Sequence, residues 1–131
     1  MDKYIFDTSV WVDFFRKNET ENSLFLKKLL ETKGEIYICP QIYQEIIQGI
    51  NEPNKVIDLL DSLNFLELNP YFVAKEAGKM YQILRKSCIT IRKSNDCSIA
   101  FFAIHFNIEL VHNDVDFEQI AKVISLPVYK K

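Results

Sequence analysis

The sequence predicts an α/β fold, a parallel sheet with helices on both faces. Short apolar runs alternate with longer stretches of helical periodicity nearly throughout, as expected when each strand is joined to the next by a crossover helix. At 131 residues, with 48% hydrophobic and 26% charged side chains, the chain can bury one substantial core. No linker, repeat or low-complexity stretch interrupts it, so one domain over residues 1–131 is expected.

The elements follow in order. Lys3 to Phe6 forms a short buried strand, and Thr8 or Ser9 caps a helix through Val10 to Lys17. "NETENS" is a polar turn, and Ser23 to Thr32 is an amphipathic helix ended by Gly34. "EIYIC" is a strand, and Pro40 suits the start of a helix over Gln41 to Ile50. "NEPN" breaks that helix and opens another, Pro53 to Leu63, before a short strand in "NFLEL". Pro70 precedes a long helix to Lys86, and Ser94 or Asn95 caps a helix to Phe106. "IELV" is a strand, "NDVDF" turns into a last helix, and "LPVYK" is a final edge strand. In such a fold functional groups collect at the carboxyl ends of the strands.

Composition narrows the chemistry. With a net charge of -2 the molecule is no polycation, so contact with nucleic acid requires a local basic patch. The opening MDKYIFDTS lacks the basic and apolar regions of a secretory leader, and no apolar run approaches the roughly 18 residues of a membrane span. Cys39, Cys88 and Cys97 are odd in number and show no CxxC spacing, which argues against a disulfide framework and a zinc site; a reducing, cytoplasmic compartment is expected.

The acidic residues are more informative. Asp7 closes the first strand, where an aspartate serves as a helix cap unless Thr8 or Ser9 takes that role and frees it. On a helical wheel Asp96 falls among Ile99, Ala100, Ala103 and Ile104, and a carboxylate centred on an apolar stripe needs a partner, either the helix N-terminus or a cation. Glu45 borders the polar arc of Gln41, Gln44 and Gln48, and periodicity alone reads it as solvated. Of Asp114 and Asp116, after the last strand, one caps the final helix and the other stands at a strand end, as Asp7 does. Carboxylates converging on one crevice repel unless cations neutralise them, and all-oxygen ligation suits Mg²⁺ or Mn²⁺.

With those residues in view the chain resembles PIN domains, in particular VapC-type toxins of prokaryotic toxin–antitoxin pairs. "FDTSVWVDFFR" resembles the opening motif, and "QIYQEIIQGI" the second acidic motif at Glu45. "IRKSNDCSIAFFAI" resembles the third at Asp96, and "ELVHNDVDFEQIA" the fourth at Asp114, Asp116 and Phe117. His112 stands where many relatives carry Thr or Ser. The resemblance implies a three-layer α/β/α sandwich around a parallel sheet of four to five strands. It also implies a divalent-metal-dependent endoribonuclease using one or two Mg²⁺ or Mn²⁺ ions. Asp7, Glu45, Asp96 and Asp114 would be catalytic and metal-binding, with Asp114 or Asp116 completing the ligand set. Thr8, Ser9 and His112 would support them. Arg92 and Lys93, then Arg85 and Lys86, then Arg16 and Lys17, are the candidate RNA contacts, although each taken singly reads as a solvated helix end.

Relatives of this type form dimers and are silenced by a cognate antitoxin. Some of Trp11, Phe14, Phe15 and the apolar residues of Ser23–Thr32 are therefore expected at a subunit or antitoxin interface, although Trp11, Phe14 and Phe15 suit the core equally. His105 reads as an ordinary surface residue. The competing readings are a non-toxin PIN nuclease of RNA processing, a phosphoryl-transfer domain of receiver or haloacid-dehalogenase type, and a PIN-like scaffold that binds without cutting. The receiver needs adjacent acids where only Asp7 stands, the dehalogenase type needs an acid where Ser9 stands, and the scaffold would lack an acid that is present here.

Overall fold

The computed structural model describes residues 2–130. Four strands, β1 (Lys3–Phe6), β2 (Glu35–Ile38), β3 (Asn64–Phe65) and β4 (Glu109–Val111), form one sheet of order β3-β2-β1-β4, and every pairing is parallel. Helices α1 (Thr8–Phe15) and α2 (Glu21–Glu31) join β1 to β2, and α3 (Pro40–Gly49) with α4 (Asn54–Asp61) joins β2 to β3. The long α5 (Pro70–Lys86) and α6 (Asn95–Phe106) then carry the chain past β1 to β4, and α7 (Val115–Val123) follows.

Consecutive strand residues point to opposite faces. Ile5 and Phe6 of β1 are both fully buried, as are Leu110 and Val111 of β4, so β1 and β4 are covered on both faces. The α/β/α layering expected from the sequence is therefore present. β3 is different: both its residues are exposed, as suits a two-residue edge strand.

Local chemistry moves several boundaries. Asp7, not Thr8 or Ser9, is the N-cap of α1, and its side chain accepts from the Ser9 N–H. α2 begins two residues before the expected Ser23, because Thr20 and Ser23 form a reciprocal capping box that draws the "NETENS" turn into the helix. Ser94 stands at the N-cap of α6 but makes no side-chain cap bond. The expected final edge strand reduces to one parallel bridge, Leu110 to Val128. Pro127, which can accept from Leu110 N–H but has no N–H of its own to donate, sits in that segment.

Gly34 also works differently from expectation. The left-handed residue closing α2 is Lys33, at φ 56°, and Gly34 donates its N–H back to the Leu29 carbonyl at 2.8 Å. A Cβ on Gly34 would lie 2.7 Å from Leu29 Cδ2, so this glycine is required for space.

The aromatic residues near α1 belong to the interior. Trp11 is fully buried, stacked on Phe15 with ring centroids 5.8 Å apart, and Phe14 and Phe15 pack against the same core. Trp11 is thus unavailable to an interface, whereas Leu24 on α2 is exposed. His105 is exposed, as its wheel position suggests, and packs edge-on to Phe72 and Phe106. Among the described residues no helix is long and apolar enough to cross a membrane.

The two residues that close α2 are expected to respond in opposite senses. Lys33→Gly relieves the left-handed conformation and should stabilise the protein by about 0.5–1 kcal/mol. Gly34→Ala should destabilise it through the Leu29 contact. Urea titrations of both variants check the pair, and equal signs would refute the assignment.

Candidate active site

The strand order reverses direction at β1, with β2 on one side and β4 on the other. Ligands of open parallel sheets sit outside the carboxyl ends of the strands at such a switch point. The carboxyl end of β1 leads into Asp7, whose backbone N–H donates to Val111 O of β4 at 2.9 Å, so the two strand ends are tied together where the acids emerge.

Asp7 is buried. Its Oδ2 accepts from Ser9 Oγ at 3.0 Å and from Ser9 N–H at 3.4 Å. Burial raises its carboxyl above the ordinary aspartate range; the bonds from Ser9 and Thr8 pull it part of the way back, and the charge of Glu45 adds to the rise. Thr8, freed from capping, donates its hydroxyl to Glu45 Oε1 at 2.6 Å, and this bond turns the glutamate of α3 toward the site. The sequence offered no sign of it, because the partners are 37 residues apart.

Asp96 occupies the first turn of α6 and is only 3% exposed. Its carboxyl is pushed up to about 7, first by burial, then by the charges of Asp7, Asp114 and Glu45, with Lys93 acting in the opposite direction. Its Oδ2 is buried without a hydrogen-bond partner. An orphaned carboxylate oxygen facing other carboxylates is what a bound cation would satisfy, and the donors are all oxygen, as Mg²⁺ and Mn²⁺ prefer.

Asp114 caps α7 and accepts from the Asp116 N–H at 2.9 Å through Oδ1. Asp116 is buried and Asp114 half-buried. Asp96, Asp114 and Asp116 can each offer one oxygen, all within 4.8 Å of one another. Both acids of the last motif thus join Asp96, and capping does not divide them into one structural and one functional residue. Asp7 and Glu45 lie outside that triplet and line the same cleft, of about 660 Å³, together with Asp96 and Asp114.

His112 holds the turn into α7, where its Nδ1 accepts from the Asp114 N–H at 3.2 Å. Its Nε2 therefore carries the proton and lies 3.1 Å from Glu118 Oε1, poorly aligned for a hydrogen bond. Asn22 of α2 donates to His112 O at 3.0 Å and to Asn113 Oδ1 at 2.6 Å, fastening the same loop from the other side.

The candidate RNA contacts separate. Lys93 lines the cleft. Arg92, although exposed, reaches the acids, with Nε donating to Asp116 Oδ2 at 3.1 Å and Nη2 to Asp114 Oδ1 at 3.3 Å. Arg85 and Lys86 are exposed in the last turn of α5, where positive charge complements the helix dipole, and they do not line the cleft. Arg16 and Lys17 lie beyond α1, also off the cleft. Residues that sequence reasoning missed, Asp13, Gln48 and Asn113, do line it. Asp13 was legible in principle, since it lies on α1 four positions after Ser9 and so on the same face.

Residues 4–123 match the PIN domain family. The chain is 32% identical over 126 residues to VapC ribonuclease Mb1587 of Mycobacterium bovis and to Ribonuclease VapC11 of Mycobacterium tuberculosis, covering 93% of this chain and 94% of each relative. Among solved structures it resembles VapBC2 from Rickettsia felis bound to a DNA fragment from its promoter, with TM-score 0.74, 20% identity and 96% of each chain covered. It also resembles VapBC-1 from nontypeable Haemophilus influenzae, with TM-score 0.67, 22% identity and 92% and 93% coverage. These structural likenesses bear on the fold alone.

The raised Asp96 pKa makes stability depend on pH in metal-free protein. The unfolded chain releases this proton near 3.8 and the folded chain near 7, so stability should be greatest below pH 4 and fall as pH rises to about 7. Asp96→Asn removes the effect, which is worth a few kcal/mol at most. In EDTA above pH 7 its melting temperature should exceed that of the parent chain, and the two should converge near pH 4. Parallel melting curves across the whole range would refute this.

Proposed function

The chain belongs to the PIN domain family, and from that membership we propose that it is a divalent-metal-dependent endoribonuclease, the toxin of a toxin–antitoxin pair. The observation that carries the proposal is the buried Asp96 carboxylate, with an unpartnered oxygen, facing Asp114 and Asp116 beside Asp7 and Glu45. The phosphoryl-transfer readings fall with the family assignment. The non-cutting scaffold loses its ground, because every acid that it would lack is present in the cleft or in the adjoining triplet.

Asp7, Asp96 and Asp114, with Asp116 and Glu45, are the residues that would hold Mg²⁺ or Mn²⁺. A bound ion of this kind lowers the pKa of a coordinated water and offsets charge on the phosphate. The protein's own part is positional. Ser9 fixes Asp7, Thr8 fixes Glu45, and the His112 and Asn22 bonds fix the loop that carries Asp114. Lys93 is the only cation among the described residues lining the cleft, so it is assigned to a substrate phosphate. Arg85 and Lys86 remain candidates for more distant RNA contacts. One domain over residues 1–131, working in the cytoplasm as a homodimer and silenced by a protein antitoxin, completes the proposal. The toxin and antitoxin parts of this reading are supported by the relatives at 32% identity, which are VapC ribonucleases, and by the likeness in fold to VapBC2 and VapBC-1.

Purified protein should cut RNA with Mg²⁺ or Mn²⁺ and stop in EDTA. Asp7→Asn and Asp96→Asn should each lower cleavage by at least about a hundredfold with the fold intact by circular dichroism. Full activity in Asp96→Asn would overturn the reading. Co-expression with the product of the adjacent gene should yield an inactive complex, and failure to find such a partner would leave a free-standing nuclease.

Lys93→Ala should weaken RNA binding and lower the slope of log affinity against log salt by about one phosphate contact. Unchanged slope and affinity would return Lys93 to the solvated surface.

A further inference from the structure

Arg92 is engaged with the site's own acids. Its side chain is 67% exposed, so packing does not force it there, and an exposed ion pair contributes little to stability. It nevertheless meets two carboxylates through two different nitrogens, at 3.1 and 3.3 Å.

The inventory of oxygens indicates the consequence. Asp114 Oδ1 accepts from both Arg92 and the Asp116 N–H, and Asp116 Oδ2 accepts from Arg92. Each of these carboxylates keeps its second oxygen, and Asp96 keeps its unpartnered Oδ2. One oxygen from each of these three residues, which lie within 4.8 Å of one another, serves a single cation, and Asp7 and Glu45, outside the triplet on the same cleft, would complete its shell. A second cation beside the first needs further carboxylate oxygens, its own or shared between the two ions, and Arg92 occupies one oxygen on two of the three residues. A guanidinium is suited to this task, being always charged and able to grip acceptors through two nitrogens at once.

We propose that Arg92 is a positioning residue that stands in for a second cation, holding Asp114 and Asp116 by one oxygen each so that the centre takes a single divalent ion. This rests on the metal-dependent reading of the site. Of the five guanidinium N–H donors, the two bonds use two, and the exposed remainder faces solution, where a substrate phosphate approaches.

The test is Mn²⁺ titration of the full chain, by calorimetry or by loss of the free-ion paramagnetic resonance signal. The parent chain should bind one equivalent. Arg92→Gln should bind two, the second more weakly. Arg92→Lys keeps the charge and loses the two-nitrogen grip, and it should also admit a second ion. Two equivalents in the parent, none in the parent, or one in all three proteins would overturn the proposal. RNA cleavage by the parent is measured alongside. A protein that binds one Mn²⁺, gains a second on losing Arg92 and cuts no RNA would overturn the nuclease reading and leave the role of Arg92 intact.

Discussion

Asp7 and Asp96 are both buried in one crevice, and burial raises both carboxyls, with the charge of Glu45 adding to the rise at Asp7 and those of Asp7, Asp114 and Glu45 at Asp96. Like charges out of water repel strongly, and burying a lone carboxylate costs several kcal/mol. The surroundings of the site are a set of partial answers to that cost. Two acids sit at helix N-termini as caps, Asp7 on α1 and Asp114 on α7, where backbone N–H groups face them. Ser9, Thr8 and Arg92 supply further donors. Asp96 receives the least help, which is why its carboxyl is held near 7.

The topology makes this convergence possible. Asp7 and Asp114 follow strands that are neighbours in the sheet though more than a hundred residues apart in the chain, and the crossover through α5 and α6 delivers Asp96 to the same end. The link from Asp7 N–H to Val111 O sets the two strand ends in register. Asn22 spans 90 residues to hold the loop after β4, so a helix far from the chemistry in sequence fixes where Asp114 stands. The core supports these positions from beneath: Phe6, Trp11, Phe102 and Phe117, each next to or near an acid-bearing turn, are essentially fully buried.

Features set by local periodicity were legible in the sequence. The strand ending at Phe6, the long α5 and the apolar arc around Asp96 follow from side-chain spacing, and the observed elements lie within a few residues of those expected. What was not legible depends on partners distant in the chain. Glu45 read as solvated because the hydroxyl that turns it inward belongs to Thr8. Arg92 read as a phosphate contact because the carboxylates it meets come 22 and 24 residues later. Asn22 read as part of a polar turn, since nothing in "NETENS" announces a bond to His112 O. Capping was misassigned for a related reason: Asp, Thr and Ser are adjacent and all cap well, and the choice among them was made by Glu45, which claims Thr8.

Charge also bears on how the proposed substrate is received. The chain carries a net charge of -2, and its cleft is lined by several acids and one lysine, so without a cation the site repels a polyanion. Basic residues outside the cleft cannot reverse this alone, because at physiological salt their attraction fades within about 8 Å. Attraction must therefore develop inside the cleft, where the low dielectric that makes the acids costly also makes each positive charge more effective. Arg92 and Lys93 enter that setting as adjacent residues with different tasks, one gripping carboxylates and the other left toward the cleft. The same burial that raises Asp96 toward 7 would thus couple cation uptake to binding of the proposed RNA: a site that poorly tolerates its own negative charge gains most when that charge is neutralised, and only then does its sign suit a phosphate.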